Sequence, residues 1–125
     1  MKKLIFTILS IFLITIIGCA HFPQELRFVQ ANDTLNKTEL LDVAIEVSRE
    51  MNLPPMTKLD KSNGVVEFGK FGSPVTGTTA QVRIGAKNKV DITVVRGSVY
   101  VPLPVKEIAD EFQTRFEAKL KALKK

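Results

Sequence analysis

One cysteine, one histidine and no tryptophan stand among these 125 residues. Each scarcity removes a class of explanation. A single thiol, Cys19, cannot close a disulfide within the chain, so the fold has to rest on its apolar core. A single imidazole, His21, cannot build a histidine metal set or serve the serines further along as a triad partner. Internal repeats and low-complexity tracts are lacking, which excludes solenoids and biased linkers. Carboxylates placed for acid–base work are lacking too. Asp60 and Glu67 face each other only in an unfavourable hairpin register, and Asp110-Glu111 and the Asp42/Glu46 pair read as solvated helix faces. Gly69-Lys70-Phe71-Gly72 joins strands and runs into Ser73-Pro74, so it reads as a turn and not as a nucleic-acid loop. Gly77-Thr78-Thr79 lacks the lysine of a phosphate loop. The expectation is a protein with no catalytic residues, no metal site and no cofactor.

What the chain has in plenty is apolar sequence at its start. Lys2 and Lys3 form a positive head, and residues 4–17 are apolar except for Thr7, Ser10 and Thr15. Gly18 and Cys19 follow. Charged head, apolar run and small residue are the order of a secretory signal. Fourteen residues are short of the roughly 20 that a bilayer-spanning helix needs. The last four, Ile16-Ile17-Gly18-Cys19, resemble the bacterial lipoprotein box. That resemblance covers residues 1–19. It implies cleavage between Gly18 and Cys19, a diacylglyceryl group on the Cys19 sulfur and acylation of the new amino terminus. Ala20, where an Asp would retain the protein in the inner membrane of enteric bacteria, implies an outer-membrane protein facing the periplasm. Within such a chain the glycosylation patterns at Asn32 and Asn36 read as chance.

Loss of residues 1–18 would leave 107 of the 125 residues, enough for one small domain. It takes two lysines away and lowers the net charge from +5 to +3. A basic chain can point to nucleic acid, but an exported and tethered one meets anionic lipid, lipopolysaccharide or cell wall instead. The expected partners are therefore the membrane, through the lipid on Cys19, and an envelope protein or cell-wall component. Nucleic acid is excluded.

The expected organisation is a signal peptide over 1–18, a lipidated terminus and tether over 19–36, and a single α+β domain over 37–125. Phe22, Leu26, Phe28 and Val29 give the tether some apolar content; Pro23 can open a short helix through Gln30, or equally these side chains can lean on the domain. Asn36 and Glu39 have the spacing of a capping box. Leu40, Ala44, Val47 and Met51 then recur at helical spacing, widened by Leu41, Val43 and Ile45. Asn52 can end that helix in a left-handed conformation, and Pro54-Pro55 forbid its continuation.

Strands follow. A four-residue loop over 61–64 sets Leu59 opposite Val66, Lys58 opposite Glu67 and Thr57 opposite Phe68. A three-residue loop at Ala86, Lys87 and Asn88, with positive φ at Asn88, sets Ile84 opposite Val90, Val82 opposite Ile92 and Arg83 opposite Asp91. A turn at Arg96-Gly97 can add a fifth strand, with Val99 beside Val94 and Val101 beside Ile92. Pro104 opens a closing helix with the stripe Val105, Ile108, Phe112, Phe116, Leu120 and Leu123.

The sum is a two-layer α+β sandwich: helix, four or five antiparallel strands as a meander, helix, with both helices on one sheet face. The order resembles the helix-grip modules of the lipoprotein subunit in the outer-membrane protein assembly machine, a likeness of topology alone. Two binding features are expected. The lysines of the last helix, Lys119, Lys121, Lys124 and Lys125, form a candidate contact to an anionic surface. The polar sheet face, with Thr79, Gln81, Arg83, Thr93 and Tyr100, is a candidate partner surface. The leading expectation is a non-enzymatic, lipid-anchored envelope protein with a binding or scaffolding role. The alternative is a carrier of a small or lipidic ligand held between helices and sheet.

Overall fold

A computed structural model of the chain describes residues 24–71, 77–96 and 105–123. It is an α+β fold: one open five-stranded antiparallel sheet and two helices. In chain order the elements are β1 (Gln24–Gln30), α1 (Lys37–Glu50), β2 (Met56–Asp60), β3 (Val65–Phe68), β4 (Thr78–Ile84), β5 (Lys89–Arg96) and α2 (Val105–Leu123). The strands lie in the order β1-β5-β4-β3-β2.

β1 corrects the sequence reading. Residues 24–30, expected as tether or short helix, form an edge strand paired with β5 from Gln24↔Val95 to Gln30↔Lys89. It occupies the side of β5 at which the fifth strand was expected. Ile92 and Val94 there face Arg27 and Glu25 in place of Val101 and Val99. Residues 97–104 lie outside the described residues, as do Phe22 and Pro23.

Local chemistry explains the boundaries. The Asn36 side chain accepts the Glu39 amide at 2.8 Å and the Glu39 carboxylate accepts the Asn36 amide at 3.3 Å, so the capping box forms as expected. Asn52 ends α1 at φ 55°, and the Leu53 amide donates to the Ser48 carbonyl at 3.0 Å. In the 61–64 loop, the Asp60 carboxylate accepts both the backbone and side-chain N–H groups of Asn63, which holds it below the usual carboxylate range. Gly64 closes that loop at φ +68°, where a Cβ would stand 3.0 Å from the Ile84 Cβ.

Lys58↔Glu67 and Leu59↔Val66 pair as expected, but a bulge between Met56 and Lys58 puts Met56, not Thr57, opposite Phe68. Thr57 is turned out of the ladder and its hydroxyl donates to the Gly69 carbonyl. The β4–β5 register is the expected one. Its connection, Ala86–Asn88, takes positive φ at both Lys87 and Asn88. The Asn88 side chain then donates to the carbonyls of Asn32 (2.9 Å) and Leu35 (2.7 Å), which fastens the β1–α1 connection to the adjacent β4–β5 turn.

One core joins the elements. Val66, Phe68, Ala80, Val82, Val90, Ile92 and Val94 meet Leu40, Leu41, Ala44 and Val47 of α1 and Ile108, Ala109, Phe112 and Phe116 of α2. Phe112 and Phe116 stack with ring centroids 6.4 Å apart. Leu123 departs from the expected stripe: it is 51% exposed, past the last turn that touches the core.

Candidate functional site

The expected lipidation and cleavage residues, Cys19 and Gly18, lie outside the described residues, as do His21, Tyr100, Lys124 and Lys125. Two candidate surfaces can be built from the rest.

The first is the basic end of α2. Lys119 does not stand free for a surface. Its ammonium lies 2.7 Å from Glu50 and 3.0 Å from Glu46, both on α1. Arg115 adds bonds to Glu50 at 3.4 Å and to Glu111 at 3.0 Å. The pair Lys119–Glu50 thus joins the helices. Lys119 holds the Glu50 carboxyl below the usual range, and Glu50, then Glu46, hold the Lys119 ammonium above its own. The signs agree. A lowered Glu50 adds stability above the unfolded glutamate value of about 4.3, and that contribution is lost as pH falls through the folded value. The wild-type protein is therefore expected to lose stability on acidification from neutral pH to about pH 3 more steeply than Glu50→Gln, and salt should shrink the difference. Urea midpoints across that range measure it; superimposable pH profiles would show that the pair has no such role. Lys121 instead borders a cleft of about 210 Å³ with Val29, Ala31, Leu35, Glu117 and Leu120.

The second surface is the sheet face turned away from the core. Its rows follow from register: Lys58, Glu67, Gln81, Thr93 and Leu26 form one, Val65, Arg83, Asp91 and Phe28 another. Gln81 donates to Glu67 at 2.7 Å. Arg83 and Asp91 are opposite, as expected, yet one Asp91 carboxylate oxygen is buried without a hydrogen-bond partner. Thr79, expected as a wet position, is only 1% exposed. The feature that sequence reasoning missed is apolar: Leu26 and Phe28 belong to this face and are 46% and 49% exposed. Their alternation with Glu25 and Arg27 was the available signal.

β1 carries its charges on the other side. Glu25 and Arg27 pair with Val94 and Ile92, both core residues. Arg27 donates to Glu25 and to Asp110 of α2, each at 2.8 Å. Glu25, then Asp110, raise its already high pKa. Three of the carboxylates singled out in the sequence thus enter ion pairs: Asp110 with Arg27, Glu111 with Arg115, Glu46 with Lys119.

A second cleft, of about 240 Å³, opens between Ile45, Arg49, Leu53, Pro54, Met56 and Phe68. Both clefts fall below the roughly 300 Å³ at which small-molecule sites begin. Among the described residues, no group of three or more His, Cys, Asp or Glu side chains is placed to hold a metal ion. Likewise, no helix there is long and apolar enough to cross a membrane. Set against family models, curated proteins and solved structures, the chain finds no match in any of the three.

Proposed function

We propose that this chain is a lipid-anchored protein of the bacterial envelope, held by Cys19 in the outer membrane and facing the periplasm, where it binds or scaffolds another envelope component without catalysing a reaction. The observation that carries this reading is the closure of the apolar run 4–17 on Ile16-Ile17-Gly18-Cys19. In this reading the domain is a two-layer sandwich: both helices cover one sheet face and the other is left for a partner. Packing of α1 on β3 and β4, and of α2 on β1 and β5, supports that arrangement. The carrier reading needs apolar room between helices and sheet. Phe68, Phe112 and Phe116, at most 1% exposed, occupy that region, which favours scaffolding over carriage. Crosslinking in intact membranes is expected to join the domain to a specific envelope protein or to cell-wall polymer. A turnover activity mapped to residues 24–123 would count against the proposal.

A further inference from the structure

Cys19 and β1 are close along the chain. Five residues carry the backbone from Cys19 to Gln24, a span of at most about 18 Å. The register places Gln24 at one end of the sheet beside Val95, and Gln30 at the other beside Lys89. α2 runs along β1 in the same sense. Arg27 bonds Asp110, the Phe28 carbonyl accepts Gln113, and Ala31 shares a cleft with Glu117 and Lys121. The lysine end of α2 therefore lies beside the end of β1 that is farther from Cys19, roughly 20 Å along the strand. A surface within reach of the anchor has to be sought on β1 itself.

Through residue 28 β1 is inverted relative to its neighbours, and only Val29, paired with Val90, returns an apolar side chain to the core. Its charged side chains, Glu25 and Arg27, share a side with the core residues Val94 and Ile92, while Leu26 and Phe28 stand outside, about half exposed. A slip of one residue would turn both apolar side chains towards the helices. The ladder instead keeps them out and gives Arg27 two carboxylates on the inner side. Over the Phe28 ring, 4.5 Å from its centroid, lies the ammonium of Lys89. A long aliphatic stem with a terminal charge beside an exposed aromatic suits an interface between hydrocarbon and water. The edge of β1 is meanwhile closed to another strand at two points: Arg27 donates to the Leu26 carbonyl at 3.0 Å and Gln113 to the Phe28 carbonyl at 3.1 Å. What β1 offers is a strip of side chains, not a ladder edge.

We propose that Leu26 and Phe28, flanked by Lys89, rest in the headgroup region of the bilayer that holds the acylated Cys19. The domain then lies with the outer side of β1 on the membrane. The opposite sheet edge, β2 with its 61–64 loop, is four strand spacings away, about 19 Å. This inference rests on the lipid-anchor reading, and its test separates the two.

Leu26→Cys, Phe28→Cys and, as a control, Lys61→Cys are made in the full-length protein, acylated in cells. In each the new thiol is the only free one. Each is labelled with an environment-sensitive fluorophore and reconstituted into vesicles of zwitterionic and anionic phospholipid, some lipids carrying a quencher near the headgroup. Circular dichroism checks the fold, and all three replaced side chains are exposed. The expected result is blue-shifted emission and lipid-dependent quenching at positions 26 and 28, with neither at 61. If the protein floats with the vesicles while all three labels are equally wet, the docking inference is overturned and the anchor stands. If labels 26 and 28 are shielded but not quenched by lipid, a second copy of the chain covers the strip and the inference is likewise overturned. If the acylated preparation does not float, both readings fall.

Discussion

Replacing Cys19 by Ala is expected to abolish incorporation of a clickable fatty acid and to release the protein from membranes. Each buried methylene contributes about 0.8 kcal/mol, and one chain alone gives only marginal, reversible binding. The two or three chains implied by the lipoprotein box would make attachment effectively permanent, so the change is close to all or none. The apolar run 4–17 is a poor substitute: as a helix its 14 residues extend about 21 Å, against about 30 Å of hydrocarbon. Among the described residues no helix can take over the span. Leu26 and Phe28, two partly exposed side chains, provide a resting surface and not an anchor. Label retained on the Cys19→Ala protein, together with an undiminished membrane fraction, would rule out the thioether.

The second large effect concerns the core. Phe112 sits fully buried against Phe116, in a cluster that draws on both helices and on the inner side of the sheet. Phe112→Ala removes the ring and leaves a cavity that the neighbouring strands cannot close, a change of about 3–5 kcal/mol. Small domains hold roughly 5–15 kcal/mol in all, and with a single cysteine this chain has no internal crosslink to add. The variant is thus expected to lose at least about a fifth of its stability, seen as a fall in Tm of more than about 10 °C. Leu123→Ala, on the same helix but half exposed, is expected to change little. Thermal unfolding of both variants checks the contrast; similar shifts for the two would contradict the assignment of the core.

The features legible in the sequence are those whose partners are local. Asn36 and Glu39 are three residues apart and cap α1 by touching each other. The turns at 61–64 and at Ala86–Asn88 fix the registers of two hairpins, because a slip in either would drive apolar side chains against charges. β1 was hidden for a physical reason. Pattern reading assumes that the apolar side of a strand faces the core, and in β1 Leu26 and Phe28 face outward while only Val29 faces inward. The charges that face inward are tolerable only because Asp110, 83 residues further on, reaches Arg27. The pairing of Lys119 is hidden for the same reason: Glu46 and Glu50 belong to another helix, and nothing in the order of residues reveals that the two helices meet there. The bulge that displaces Thr57 likewise depends on the Gly69 carbonyl, across the hairpin.

For the candidate site the balance is reversed. The proposed anchor is read from residues 1–19 and needs no tertiary information. The apolar strip beside it exists only through the pairing of β1 with β5. The proposed anchor rests on one covalent event at Cys19, and intact-mass spectrometry of the protein purified from its native membranes addresses it directly. The account predicts a chain that starts at Cys19 and carries the added mass of a diacylglyceryl group and a fatty acid. A chain that starts at Met1 and bears an unmodified thiol would contradict it.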